Sequence, residues 1–137
     1  MKTETFIDTS GFYALLVRRD EMHRKAARIL KTAAKSKTTF VTTDYVLDET
    51  ATLLKARSLA HLLERFFEIV ISSGACRIEW MDAERFESTV ADYLKVRDQG
   101  WSFTDTFSFL LMKQLQLSRA LTKDHHFREA GFVPLLT

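Results

Sequence analysis

The chain has 137 residues, 20 basic and 18 acidic side chains, a net charge of +2 and 46% hydrophobic residues, enough for one domain with one core. The one cysteine, Cys76, excludes an internal disulfide framework and suits a reducing compartment. No apolar run approaches the roughly 18 residues of a membrane span. Asp8 also interrupts the N-terminal apolar stretch, so the expectation is a cytoplasmic protein with no membrane partner and no secretory signal.

The first element turns on Asp8. The run Thr3 to Ile7 is short, β-rich and ends abruptly in a carboxylate, and Thr9, Ser10 and Gly11 lead into a second apolar segment. This pattern predicts a strand, a tight turn and a helix that Thr9 or Ser10 can cap. Asp8 then stands at the carboxyl end of a strand, the edge at which open α/β sheets bind ligands. A short helix is expected over Ser10 to Val17. A second, from Glu21 to Lys35, would turn Met22, Ala26, Ile29, Leu30 and Ala33 inward. On that second helix Arg24, Arg28, Lys31 and Lys35 share one face. The stretch from Arg18 to Lys37 carries a net +6 and leaves −4 for the rest of the chain. That distribution suits a polyanion held near carboxylates, and the stripe is a candidate phosphate-backbone contact.

Thr38 to Thr42 predicts a second strand, with Thr43 or Asp44 capping a helix that runs to about Arg57. Val46, Thr50, Leu53 and Leu54 mark its apolar face, yet Glu49 lies on that face too. A lone buried glutamate costs too much, so Glu49 must be paired, bind a metal or line a cleft. Asp48 points about 100° away, toward solvent. Ser58 is expected to open a helix to about Ser73, and Gly74 to stop it. Ala75 to Met81 reads as a third strand. Asp82 then caps a helix to about Arg97, whose inner stripe would be Phe86, Val90, Tyr93 and Leu94. Trp101 to Phe107 opens the most apolar helix, running to about Leu117. Ser102 or Thr104 can cap it, and Asp105 in its first turn shares a face with Phe109 and Met112. Arg119 to Thr122 makes a fourth strand, so Asp124 again stands at a carboxyl end. Gly131 to Leu135 can add an edge strand. His125 and His126 have no further histidine or cysteine at a zinc-site spacing, which argues against zinc.

The alternation of strands with helix pairs predicts an α/β fold: a three-layer α/β/α sandwich around a parallel sheet of about five strands. Right-handed crossovers bring all carboxyl ends to one edge. Asp8, Glu49, Asp105 and Asp124 would converge there. Four carboxylates in one dry cleft repel one another, and a hard divalent cation, Mg²⁺ or Mn²⁺, resolves the conflict with oxygen ligands alone.

Four segments in order, Phe6-Ile7-Asp8-Thr9-Ser10, Asp48-Glu49 with Thr52-Leu53-Leu54, Ser102-Phe103-Thr104-Asp105 and Leu121 to Phe127, resemble the PIN-domain family, and within it the VapC-type toxin ribonucleases. The resemblance covers essentially the whole chain. It implies metal-dependent endonucleolytic cleavage of RNA, a homodimer, and a cognate antitoxin whose tail blocks the cleft. By motif position it implies an acidic, metal-binding and catalytic set of Asp8, Glu49, Asp105 and Asp124, with Thr9, Ser10 and Thr104 in support. Phe107 and Phe109 are bulkier than the small residues common after the third acid, which predicts a narrower groove or altered helix packing. Two rival readings remain: a phosphotransfer domain, which would leave Glu49 without a role, and a non-catalytic RNA-binding or assembly module, which would bind RNA equally well once the acids are neutralised.

Overall fold

The structure, a computed structural model, describes residues 3–137. Five short strands, β1 (Glu4–Ile7), β2 (Thr39–Thr43), β3 (Cys76–Glu79), β4 (Arg119–Leu121) and β5 (Val133–Pro134), form one sheet in the order β3-β2-β1-β4-β5. Every neighbouring pair is parallel. Seven α-helices connect them: α1 (Thr9–Leu16), α2 (His23–Ser36), α3 (Asp44–Ala56), α4 (Leu63–Ser72), α5 (Ala83–Lys95), α6 (Phe103–Gln114) and α7 (His125–Glu129). From β1 the chain steps outward to β2 and β3, with α1 to α4 packing among themselves. It then returns to the other side of β1 as β4 and β5, through α5, α6 and α7. Right-handed crossovers in opposite directions put the two helix groups on opposite faces. The reversal makes the carboxyl end of β1 a topological switch point, and Asp8 is the residue that leaves it.

Both faces of the sheet are sealed by aromatic packing. Phe12 meets Phe66 edge-on at 5.3 Å on one side. On the other, Phe127 packs against Phe6 at 6.2 Å and Phe109 at 4.9 Å. Phe107 and Phe109 are both buried, so their bulk fills the core under α6 and does not enter the cleft. Cys76 packs against the same core, and burial pushes its thiol up to about 12, which leaves no thiolate.

Element ends differ from the predicted ones by a few residues, and three differences have a physical cause. Ser58 does not open α4. It ends α3 in a left-handed conformation at φ 61°, where Ser58 N donates to Lys55 O and Leu59 N to Leu54 O, closing the helix in a Schellman motif. A 3₁₀ turn over Ala60–Leu62 follows, and α4 starts only at Leu63. Along α5 the apolar stripe is not the inner face: Phe86 is 45% exposed and Leu94 52%, while Thr89 is fully buried. This helix lies against α6 and not over the sheet, and Phe86 and Tyr93 pack their rings on Phe103 at 5.5 and 5.4 Å. Leu30 of α2 is likewise 42% exposed, whereas Ala26 and Ala33 make the inward contact.

Gly11 sets how closely α1 approaches the sheet. A Cβ there would lie 2.1 Å from the carbonyl oxygen of Leu121, inside backbone that cannot yield. Gly11→Ala is therefore expected to cost about 1–3 kcal/mol and lower the melting temperature by roughly 3–10 °C. Gly100→Ala, whose Cβ would meet His126 Nε2 at an ordinary 3.6 Å, is the control and should shift melting far less. Equal shifts in thermal denaturation would show that the α1–β4 contact is not tight.

Candidate active site

Three of the four acids begin helices, and the capping geometry explains where each carboxylate points. Asp8 occupies the N-cap of α1. Its carbonyl receives Gly11 N and Phe12 N at 3.0 and 3.1 Å, so its side chain takes no part in the cap. Asp105 is the fourth residue of a capping box: Ser102 Oγ accepts from Asp105 N at 2.9 Å, and Asp105 Oδ2 accepts from Ser102 N at 3.1 Å. Asp124 caps α7 through Oδ1, which accepts from His126 N at 2.9 Å. Asp105 and Asp124 thus each give one oxygen to a helix end; Asp124 also lines the cleft, whereas Asp105 lies beside it and uses the same Oδ2 to approach His126. Ser102, and not Thr104, performs the cap of α6; the Thr104 side chain makes no hydrogen bond among the described residues.

Hydroxyls tie the acids together. Thr122 Oγ1 donates to Asp8 Oδ2 at 3.0 Å and accepts from Asp124 N at 3.0 Å. Ser10 Oγ lies 3.0 Å from Thr122 Oγ1 and accepts from Lys123 N at 2.9 Å. Since the single Thr122 proton goes to Asp8, Ser10 supplies the proton between the two hydroxyls. Thr9 Oγ1 donates to Glu49 Oε1 at 2.6 Å, so α1 also fixes the acid carried by α3. A cleft of about 220 Å³ results, lined by Asp8, Thr9, Ser10, Glu49 and Asp124 together with Tyr13, Leu53, Arg57 and Lys123.

Asp105 joins the cluster from the other side. Its Oδ2 lies 3.4 Å from His126 Nδ1, which is itself 3.3 Å from Asp124 Oδ1. That Nδ1 is buried and has no well-directed hydrogen-bond partner among the described residues. Asp8 is only 4% exposed, and its pKa is raised from 3.8 to about 7, by burial first and then by the neighbouring Asp105 and Glu49 carboxylates; Thr9 N and the Thr122 hydroxyl oppose the rise. Burial also raises Asp105, with Asp124 adding to the effect and His126 opposing it. Two buried carboxylates, Asp8 and Asp105, close to the half-buried Glu49 and Asp124 make an oxygen donor set that suits a hard divalent cation. The residues present fit such an ion.

Asp48 is exposed and points away. The basic stripe of α2 does not line the cleft. Arg24, Arg28, Lys31 and Lys35 are all exposed, and Arg28 borders a separate groove with Thr5, Ser36, Thr38 and Arg119 at the amino ends of the strands. Sequence reasoning left Thr122, Tyr13, Arg57 and His126 outside the site. Thr122 had a readable signal, a hydroxyl two residues before a strand-end acid. Tyr13 and Arg57 had one only in retrospect, as positions one turn beyond Thr9 and two turns beyond Glu49.

The sequence matches the PIN domain over residues 5–133. It is 32% identical over 125 residues to a VapC ribonuclease of Archaeoglobus fulgidus, spanning 88% of this chain and 77% of that protein. It is 30% identical over 128 residues to the 23S rRNA-specific endonuclease VapC20 of Mycobacterium tuberculosis, spanning 93% of this chain and 95% of that one. The crystal structure of M. tuberculosis VapC20, described as a sarcin-ricin loop cleaving toxin, matches with a TM-score of 0.81 over 94% of this chain and 96% of its own.

Proposed function

This chain belongs to the PIN-domain family, and we propose that it is a metal-dependent endoribonuclease, the toxin of a toxin–antitoxin pair, that hydrolyses RNA phosphodiester bonds at Asp8, Glu49, Asp105 and Asp124. The observation that carries this reading is the meeting of Asp8, Glu49 and Asp124 in one cleft at the switch point of the sheet, with Asp105 beside it, joined to Asp124 through His126. A single Mg²⁺ or Mn²⁺, or a pair, would be held by these four carboxylates, and when bound would supply Lewis acidity toward a phosphoryl oxygen. The protein's own part is positional. Thr122 fixes the rotation of Asp8, Thr9 that of Glu49, and the two caps that of Asp105 and Asp124, so each presents one oxygen without further ordering. A cleft carboxylate oxygen left free by these bonds would orient or deprotonate the attacking water.

Glu49 distinguishes this reading from a phosphotransfer domain, in which it would be idle. Here it is held by Thr9 within the cleft. A further copy of the chain and an antitoxin are the proposed partners, and the cytoplasm the proposed location. Exposed Trp80, Phe86 and Leu94 on the β3–α5 side support a self-association surface. The test is direct. Purified protein incubated with ribosomal RNA and with single-stranded oligoribonucleotides should cut at discrete positions with Mg²⁺ or Mn²⁺, and chelator should stop the reaction. Undiminished cleavage in chelator would remove the metal, and absence of cleavage with every RNA and both ions would leave only a binding module.

A further inference from the structure

A phosphodiester strand entering a cleft lined by Asp8, Glu49 and Asp124, with Asp105 beside it, is repelled at each phosphate that no cation shields. Two cationic side chains line this cleft, Lys123 and Arg57. Lys123 is partly committed, its Nζ 3.7 Å from Asp20 Oδ1. Arg57 makes no ion pair and no side-chain hydrogen bond among the described residues, although Glu49 lies two turns back on the same helix. Its guanidinium lies over the ring of Tyr13, 5.0 Å from the centroid.

The two helices therefore meet in two rungs. Thr9 holds Glu49 at 2.6 Å, and Tyr13 holds Arg57 one turn further along α1, roughly 6 Å away. The first rung belongs to the acids. The second places a planar cation at the mouth of the same cleft, fixed by an aromatic face and with its N–H donors unspent. A guanidinium so held is suited to bidentate recognition of a phosphate, because little freedom is lost when the bonds form.

We propose that Arg57, held in place by Tyr13, binds a phosphate flanking the scissile one in single-stranded RNA, so that the substrate strand runs from the carboxylates along the seam between α1 and α3. Arg57 is the binding group and Tyr13 its positioning residue. The proposal rests on the endoribonuclease reading above and extends it to the path of the substrate.

The experiment uses a single-stranded oligoribonucleotide that the wild type cleaves. Kinetics are measured on Arg57 and Tyr13 variants, and salt-dependent binding on the same variants in an Asp105→Asn background. Arg57→Ala should raise KM about tenfold while kcat stays within about twofold, and should lower the slope of log affinity against log salt by about 0.7, the value for one phosphate contact on a single strand. Arg57→Lys should keep the slope and recover only part of KM, because an ammonium cannot stack and fork in the same way. Tyr13→Leu should raise KM with the slope kept, and Tyr13→Phe, which retains the aromatic face, should match the wild type. An Arg57→Ala protein with wild-type KM and slope and a lower melting temperature would make the pair a clamp between helices and overturn the proposal, while cleavage by the wild type would still stand. A wild type that neither binds nor cuts any RNA would sink both readings together.

Discussion

Asp105→Asn is expected to lose RNA cleavage by at least about 100-fold, while the protein stays folded and still binds RNA. The lower bound follows from metal sites in which outer-shell partners alone are worth 10–100-fold; a carboxylate proposed to hold the ion itself should count for more. Folding is spared because an asparagine oxygen can still accept the bond from Ser102 N that completes the capping box, and Ser102 Oγ still receives the backbone N–H of residue 105. What the change removes is charge. Cleavage assayed under single-turnover conditions, together with binding of the same RNA, separates the two effects. Activity within tenfold of wild type would show that the charge of Asp105 does not serve the reaction.

The second large effect is on stability, and its sign follows from Asp8. Its folded pKa is raised from 3.8 to about 7, so across that window the folded protein holds a proton that the unfolded chain has released. Stability therefore falls as pH rises from about 4 to about 7, and the cost is fully developed above 7. A shift of this size corresponds to about 4 kcal/mol. Asparagine at position 8 keeps an acceptor for the Thr122 hydroxyl and carries no charge. In chelator at pH 8, Asp8→Asn should melt roughly 10–15 °C above wild type, and at pH 4 the difference should vanish. Asp105 is raised for the same first reason, burial, and adds to the trend in the wild type. A cation bound only by the folded cluster should return about 2.7 kcal/mol to the wild type at a hundred times its Kd, and less to the variant. Melts of both proteins at pH 4 and pH 8, with chelator and with Mn²⁺, check all four conditions. A variant that melts below wild type by the same margin at both pH values would contradict the raised pKa.

The acids were legible in the sequence because each interrupts a strong local pattern. Asp8 and Asp124 end short β-rich runs, and Glu49 breaks an apolar helix face. Asp105 read equally well as a helix-start acid, and it is one, its Oδ2 shared between the capping box and the approach to His126. The parallel sheet was legible from the regular alternation of elements, and the described strands are all parallel. The faces of α5 and α2 were not. Periodicity reports that one face is apolar but not what covers it, and the stripe of α5 lies beside Phe103 and solvent because α5 packs on a helix beyond the sheet. Ser58 illustrates a second limit. A serine before an apolar run signals a cap, yet the competing Schellman closure of α3 captured it. Thr122 and Arg57 escaped because their roles come from partners 114 and 44 positions away, and no local pattern encodes such a meeting.

The position of β4 has a consequence for synthesis of the chain. β1 and β2 can pair as soon as residue 43 has emerged, and Glu49 and Thr9 can meet soon after. Asp8, however, accepts from the Thr122 hydroxyl and donates its own backbone N–H to Leu121 O, so its carboxylate has no fixed rotation until β4 docks beside β1. A ribosome-bound chain that has produced α1 to α6 already carries three of the four acids, but the hydroxyl relay and the Asp124 cap await the segment from 119 to 126. Parallel pairing at such sequence separation is slow compared with helix formation. Assembly of the cleft thus waits for residues 119–126, and a nascent chain made only as far as α6 has no organised site.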